Sequence, residues 1–267
     1  MPEPGSDTTV RMVAHRPHPS MRGLVRRSAG FAERTGGPLH RRELPFGGVP
    51  IILSFGERVR ISSATGSGDY TSFVAGVHEI PVDTAHDGSL RCIQVDLTPL
   101  GAYQLLGLPM SDLHDAVAPL DALDGAHWRD LGDRLADLSS WPARFELLDE
   151  TLHRAAAIGR VADPEVRWAW RRLVTSHGTA PIGQLAAEVG WSRRHFAARF
   201  RGQVGLAPKP AARVLRFAHA RALLTAPGAS SISDVAATAG YADHSHLTRE
   251  FRRLAGTTPS QLLAQSS

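Results

Sequence analysis

An internal repeat of about fifty residues limits what this chain can fold into more than any other feature. The first copy reads IGQLAAEVGWSRRHFAARFRGQVGLAP over residues 182–208, and the second reads ISDVAATAGYADHSHLTREFRRLAGTTP over residues 232–259. Leu185 aligns with Val235, Gly190 with Gly240, Trp191 with Tyr241, Phe196 with Leu247, Phe200 with Phe251, Gly205 with Gly256 and Pro208 with Pro259. The second copy is one residue longer in its turn. One supersecondary unit is therefore used twice.

Each copy predicts a helix-turn-helix, over about 182–205 and 232–256. An alanine-rich helix ends at Gly190 or Gly240, where glycine can take the positive φ of a tight C-cap, and an aromatic follows at the corner. Ser192 and Asp243 are N-caps for a second helix whose stripe is Phe196, Phe200 and Val204, or Leu247, Phe251 and Leu254. Residues 210–225 predict a linking helix of roughly 22 Å. With the stripes turned inward, rotation of about 100° per residue puts Arg194, Ala198 and Arg201 on one outer face. Ser245, Arg249 and Arg252 occupy the other, with His244 and His246 at its margins.

The charge is divided in the same sense. The chain carries +4 overall, yet residues 165–267 hold fourteen basic residues against five acids, a net of +9, which leaves −5 on residues 1–164. A basic domain of this kind favours a polyanion, and arginine's planar fork can bond O6 and N7 of guanine as well as phosphate. A solvated cationic face would carry the same charge; two units that each combine cap, glycine turn, apolar stripe and basic outer face favour double-stranded DNA.

The remainder reads as a different domain, so the fold class is α+β with a boundary at 160/161. Residues 39–97 run in short Val-, Ile-, Phe- and Thr-rich segments broken by glycine and proline, which predicts a β-barrel or sandwich. A proline-bearing lead precedes it, with a short helix over 21–27, and GSG at 66–68 reads as a turn. Trp128, Leu131, Leu135 and Leu138, then Phe145, Leu148 and Leu152, predict a helical hairpin joined at 139–142, which closes the β-domain or pairs with a second protomer. Asp163 before Pro164 predicts an N-cap and the next helix. Cys92 stands alone in a strand-like run and reads as a buried thiol. His78, Glu79 and His86 lack the spacing of a metal site, so neither metal nor cofactor is expected. Without an apolar stretch of membrane-spanning length or a signal h-region, the expected location is cytoplasmic.

The segment ISDVAATAGYADHSHLTREFRRLAGTTPSQ, residues 232–261, resembles the signature of the AraC/XylS-type bacterial transcription regulators, and the resemblance reaches back to about residue 165. It implies two helix-turn-helix units whose second helices enter successive major-groove segments on one face of DNA. Positions matching the family's base readers are Arg194, Ala197 and Ala198, with His244, Ser245, His246 and Arg249; Arg193, Arg201 and Arg252 complete the DNA-contacting set. The two alanines depart from hydrogen-bonding readers and could touch only a thymine methyl. For the N-terminal part the resemblance is topological and implies a cupin-like effector or dimerisation domain. The implied partners are DNA, a small-molecule effector, a second copy of the chain and RNA polymerase. A sequence-indifferent architectural DNA binder and a barrel enzyme with a helical accessory are the competing readings.

Overall fold

The computed structural model describes residues 8–63, 65–228 and 231–266. The chain forms two compact units. The first comprises residues up to Glu43, then Gly48–Gly76 and Val82–Val161; the second comprises Leu44–Gly47, Val77–Pro81 and everything from Ala162.

The first unit is built on two antiparallel sheets. One has six strands in the order β1 (Thr9–His15), β2 (Val25–Arg34), β9 (Ser89–Leu97), β4 (Val49–Ser54), β7 (Ser72–Ala75) and β10 (Val117–Pro119). The other has four, β3 (Leu39–Glu43), β8 (Val82–His86), β5 (Val59–Ser63) and β6 (Gly66–Tyr70). Alternation on β4 shows why two layers form. Ile52 packs on the cluster of Val59, Ile61 and Phe73 between the sheets, while Val49, Ile51 and Leu53, which point the other way, are also buried. That second face is covered by helices. The helix α2 (Leu131–Ala136) lies on β4, and Trp141, which opens α3 (Trp141–Ile158), lies so close over Gly30 of β2 that no Cβ would fit there. β9, central in its sheet, is buried on both faces.

Several expectations need correction here. Residues 21–27 are not a helix: a single 3₁₀ turn covers Pro19–Met21 and β2 begins at Val25. The lead before it forms edge strand β1, its residues 1–7 lying outside the described residues. GSG at 66–68 belongs to β6, paired with β5, because glycine and serine are tolerated on a short edge strand. The helical hairpin is unequal. α2 has six residues and sits on the sheet, whereas α3 has eighteen and packs against α1 (Pro99–Leu106). Trp128 and Leu138 fall outside both helices of that hairpin.

Two buried groups are structural. Cys92 is enclosed, and burial pushes its thiol up to about 12, so it is no nucleophile near neutral pH. Glu33 of β2 takes a bidentate bond from Arg41 at 2.7 and 2.5 Å and faces His86 Nε2 at 3.3 Å. The three residues weighed for a metal go separate ways. His86 engages Glu33, His78 Nδ1 donates to the Ile80 carbonyl, and Glu79, in the second unit, accepts from Arg213 at 2.5 Å.

The second unit is helical: α4 (Pro164–Thr175), α5 (Ile182–Glu188), α6 (Arg193–Val204), α7 (Pro208–Thr225), α8 (Ile232–Thr238), α9 (His244–Ala255) and α10 (Pro259–Ser266). The linking helix α7 is longer than sequence suggested, eighteen residues or about 27 Å. It is also the core of the unit, since α4, α6, α8, α9 and α10 all pack on it, and its Ala211, Ala212, Val214, Phe217, Ala220 and Leu224 are buried. Phe217 meets Phe251 edge to face with ring centroids 4.9 Å apart.

Candidate nucleic-acid interface

The two repeats fold by the same local chemistry. In each, the first helix closes in a Schellman motif: Gly190 N–H donates to Ala187 and Trp191 N–H to Ala186, and likewise Gly240 to Ala237 and Tyr241 to Ala236. The glycines stand at φ +70° and +75°. The second helices are capped as the sequence predicts, by Ser192 Oγ on His195 N at 3.2 Å and by Asp243 Oδ1 on His246 N at 2.7 Å. Both stripes are fully enclosed, with Phe196, Phe200 and Val204 at 1%, 0% and 0% exposure and Leu247, Phe251 and Leu254 at 0%. Burial on that scale contributes roughly 1.5–3 kcal/mol per large apolar side chain, enough to fix which face of each helix looks outward.

The outward faces carry the cations. Arg193, Arg194, Ala198 and Arg201 of α6 are exposed, as are His244, Ser245, Arg249 and Arg252 of α9. Among the described residues, Arg193, Arg194, Arg201, Arg249 and Arg252 hold no hydrogen bond or ion pair, so their guanidinium donors remain open. Arg193 bends toward the first helix, its Nη2 lying 3.5 Å from where a Cβ on Gly183 would stand. Ala197 is half-buried. His246 is half-buried too. Its Nδ1 accepts from Ala242 N at 3.3 Å and its ring stands edge-on to Tyr241, which leaves only Nε2 for a ligand.

Residue 193 aligns with 244, so the two faces can be compared position by position. Arg194 corresponds to Ser245, Ala198 to Arg249 and Arg201 to Arg252. The forked side chain therefore sits in the first turn of α6 but in the second turn of α9, about 6 Å further along the axis. Acids do not offset this charge. Asp243 is spent on its cap, and Glu250 lies 17% exposed with Arg213 Nε at 3.8 Å.

The structure adds two features that sequence reasoning missed. Asp163 occupies the N-cap position of α4 but makes no capping bond there. Its carboxylate is gripped by Arg199 at 2.8 and 2.8 Å and by Gln203 Nε2 at 2.7 Å, while its own N–H donates to Gln203 Oε1 at 2.8 Å. Partners 36 and 40 residues apart leave no local sequence signal. Arg253 is the second: it is exposed and lies beside Arg249 on the helical wheel, with Glu79 at 3.8 Å its one ion-pair partner among the described residues. The same rotation of about 100° per residue that selects Arg249 could have found it.

Residues 185–265 match the family model of a helix-turn-helix domain, and residues 13–119 match a domain of unknown function, DUF6597. Among solved structures the chain is similar to ToxT from Vibrio cholerae O395 bound to (E)-4-(8-methylnaphthalen-1-yl)but-3-enoic acid. The identity is 12%, covering 97% of this chain and 99% of that chain, with a TM-score of 0.50. It is also similar to the C-terminal domain of AraT, a response regulator from Geobacillus stearothermophilus. There the identity is 19%, over 39% of this chain and 86% of that one, with a TM-score of 0.36. The AraC-like transcriptional activator CuxR aligns at 14% identity over 72% of this chain and 80% of that one, with a TM-score of 0.28. No curated protein gives a significant match. A mostly-β N-terminal domain joined to a helical C-terminal part is the architecture that this chain shares with the ToxT structure. Residues 185–265 are thus matched to a helix-turn-helix domain, and the likeness to solved structures is one of fold.

Proposed function

We propose that this chain is a sequence-specific transcription regulator that reads one duplex with both of its second helices, α6 and α9. The observation that carries this reading is the set of five exposed arginines without protein partners on two identically capped helices. Phosphate contacts by Arg193, Arg201 and Arg252 supply affinity, and base-edge contacts by Arg194 and Arg249 supply discrimination. Ser245 and His244 add polar contacts in the second unit, and Ala197 and Ala198 let α6 approach a thymine methyl. Packing both helix-turn-helix repeats on α7 holds the readers at a set separation, as reading two neighbouring major-groove segments requires.

The first unit has the opposite net charge, and its role is a different one, the binding of a small-molecule effector or of a second copy of the chain. The main reading is tested by binding of the full chain to its selected site and to random duplex across a salt series. A regulator of this design binds the selected site at least about a thousandfold more tightly and loses affinity on both as salt rises. Equal affinity for the two duplexes would establish the architectural reading instead.

A further inference from the structure

We infer that Asp163 restrains DNA binding by masking Arg199, a further phosphate-contacting arginine of α6. The inference rests on the reading of α6 as a DNA-facing helix. Arg199 lies about 100° around the helix from Ala198, on the flank between the outer face and the buried stripe. It is half exposed, and its stem is long enough to bring the guanidinium to a phosphate beside the groove. Instead its Nε and Nη2 donate to the two carboxylate oxygens of Asp163, at 2.8 and 2.8 Å. An arginine whose charge is already compensated in this way displaces few counterions from DNA, so it adds little to affinity.

The carboxylate is set in place before any ligand arrives. Gln203, 3% exposed, donates from Nε2 to Asp163 Oδ2 at 2.7 Å and accepts the Asp163 backbone N–H on Oε1 at 2.8 Å. Asp163 is thereby tied to α6 by both its backbone and its side chain. A local interaction is given up for this: Asp163 stands at the N-cap position of α4 with no side-chain capping bond, although aspartate is among the favoured caps. Its place in the chain makes the mask adjustable. Asp163 is the second residue of the run, from Ala162 onward, that belongs to the second unit, and five residues before it α3 ends in the first. Arg160 and Val161, in between, are exposed. A shift of this connector moves Asp163 directly, and a half-exposed ion pair is weak enough to open. Release adds the Arg199 guanidinium to the five already open on α6 and α9.

The test is binding of the full chain to a random duplex across a salt series, read as the slope of log affinity against log salt. Asp163→Asn keeps the size and the backbone N–H of the residue and removes its charge. It should bind more tightly at low salt, with a slope steeper by about one, and adding Arg199→Ala should return the slope to that of the unaltered chain. Glu165→Gln removes the same charge from the first turn of α4 without freeing an arginine, and should leave the slope as it was. Equal slopes for Asp163→Asn and the unaltered chain, a steeper slope that survives in the double variant, or the same rise in Glu165→Gln would overturn the mask. Should Asp163→Asn melt too low to assay, Arg199→Ala alone decides: an unchanged slope supports the mask, and one shallower by about one places Arg199 on phosphate already. Absent or salt-insensitive binding by the unaltered chain would sink the DNA reading and the mask together, whereas a steep slope there with any of the overturning results sinks the mask alone.

Discussion

Arg199 and Arg201 lie two residues apart on α6 and meet different fates. Arg199 is held by Asp163 on the flank of the helix, whereas Arg201 points outward with no partner. Arg201→Ala should therefore weaken binding equally on all duplexes and lower the salt slope by about one, as loss of a phosphate contact does. Arg199→Ala should leave that slope unchanged and lower stability by about 1 kcal/mol, since the pair is half exposed. Salt-dependent binding and denaturant melts on the two variants separate the roles. A second residue-scale prediction concerns Glu33, whose carboxyl is held below its ordinary range, first by the Arg41 hydrogen bond. A depressed folded pKa gives stability that is present above the unfolded value, about 4.3, and is lost as pH falls through the folded one. Glu33→Gln should cost about 1.5–3 kcal/mol at about pH 7 and flatten the acid limb of the stability curve below about pH 4.3. An unchanged acid limb would show that the Arg41 pair contributes nothing to it.

At the scale of elements, the repeat was legible because its signals are local. A glycine directly before an aromatic and a cap, followed by apolar residues at i and i+4, determines a turn and a buried stripe without help from distant chain. The two turns nevertheless differ in their surroundings. A Cβ on Gly190 would meet nothing within 4 Å, whereas one on Gly240 would stand 2.6 Å from Thr179 Cγ2. Gly190→Ala should cost about 1–2 kcal/mol from the left-handed backbone alone, and Gly240→Ala should cost more. Thermal melts giving equal losses would show that Thr179 moves aside freely. Edge strands were less legible. β1 and β6 are built of exposed or small residues, so hydrophobic alternation is weak and pairing with β2 and β5 decides their conformation. The short α2 was overextended for a related reason: Trp128 and Leu138 keep helical spacing in the sequence but are placed by the tertiary packing of the turns around them.

For the whole molecule, the charge division and the repeat point to the same end of the chain, and that is why the outward-facing basic residues could be named from sequence. What sequence could not supply was which arginines are free. Arg199 and Arg213 are as basic as Arg194 and Arg249, but carboxylates remote in sequence are hydrogen-bonded to them. If α6 and α9 read separate parts of one site, each through a single forked side chain, then losing either arginine must erase its own half of the recognised sequence and no more. Selection of bound duplexes from a random library, with the unaltered chain, Arg194→Ala and Arg249→Ala run in parallel, decides this. The expected outcome is a bipartite motif with half-sites about one helical turn apart, each variant losing preference in a different half and about 1–3 kcal/mol at the selected site. Enrichment of no motif, or loss of the same positions in both variants, would refute the division of labour between the two helices.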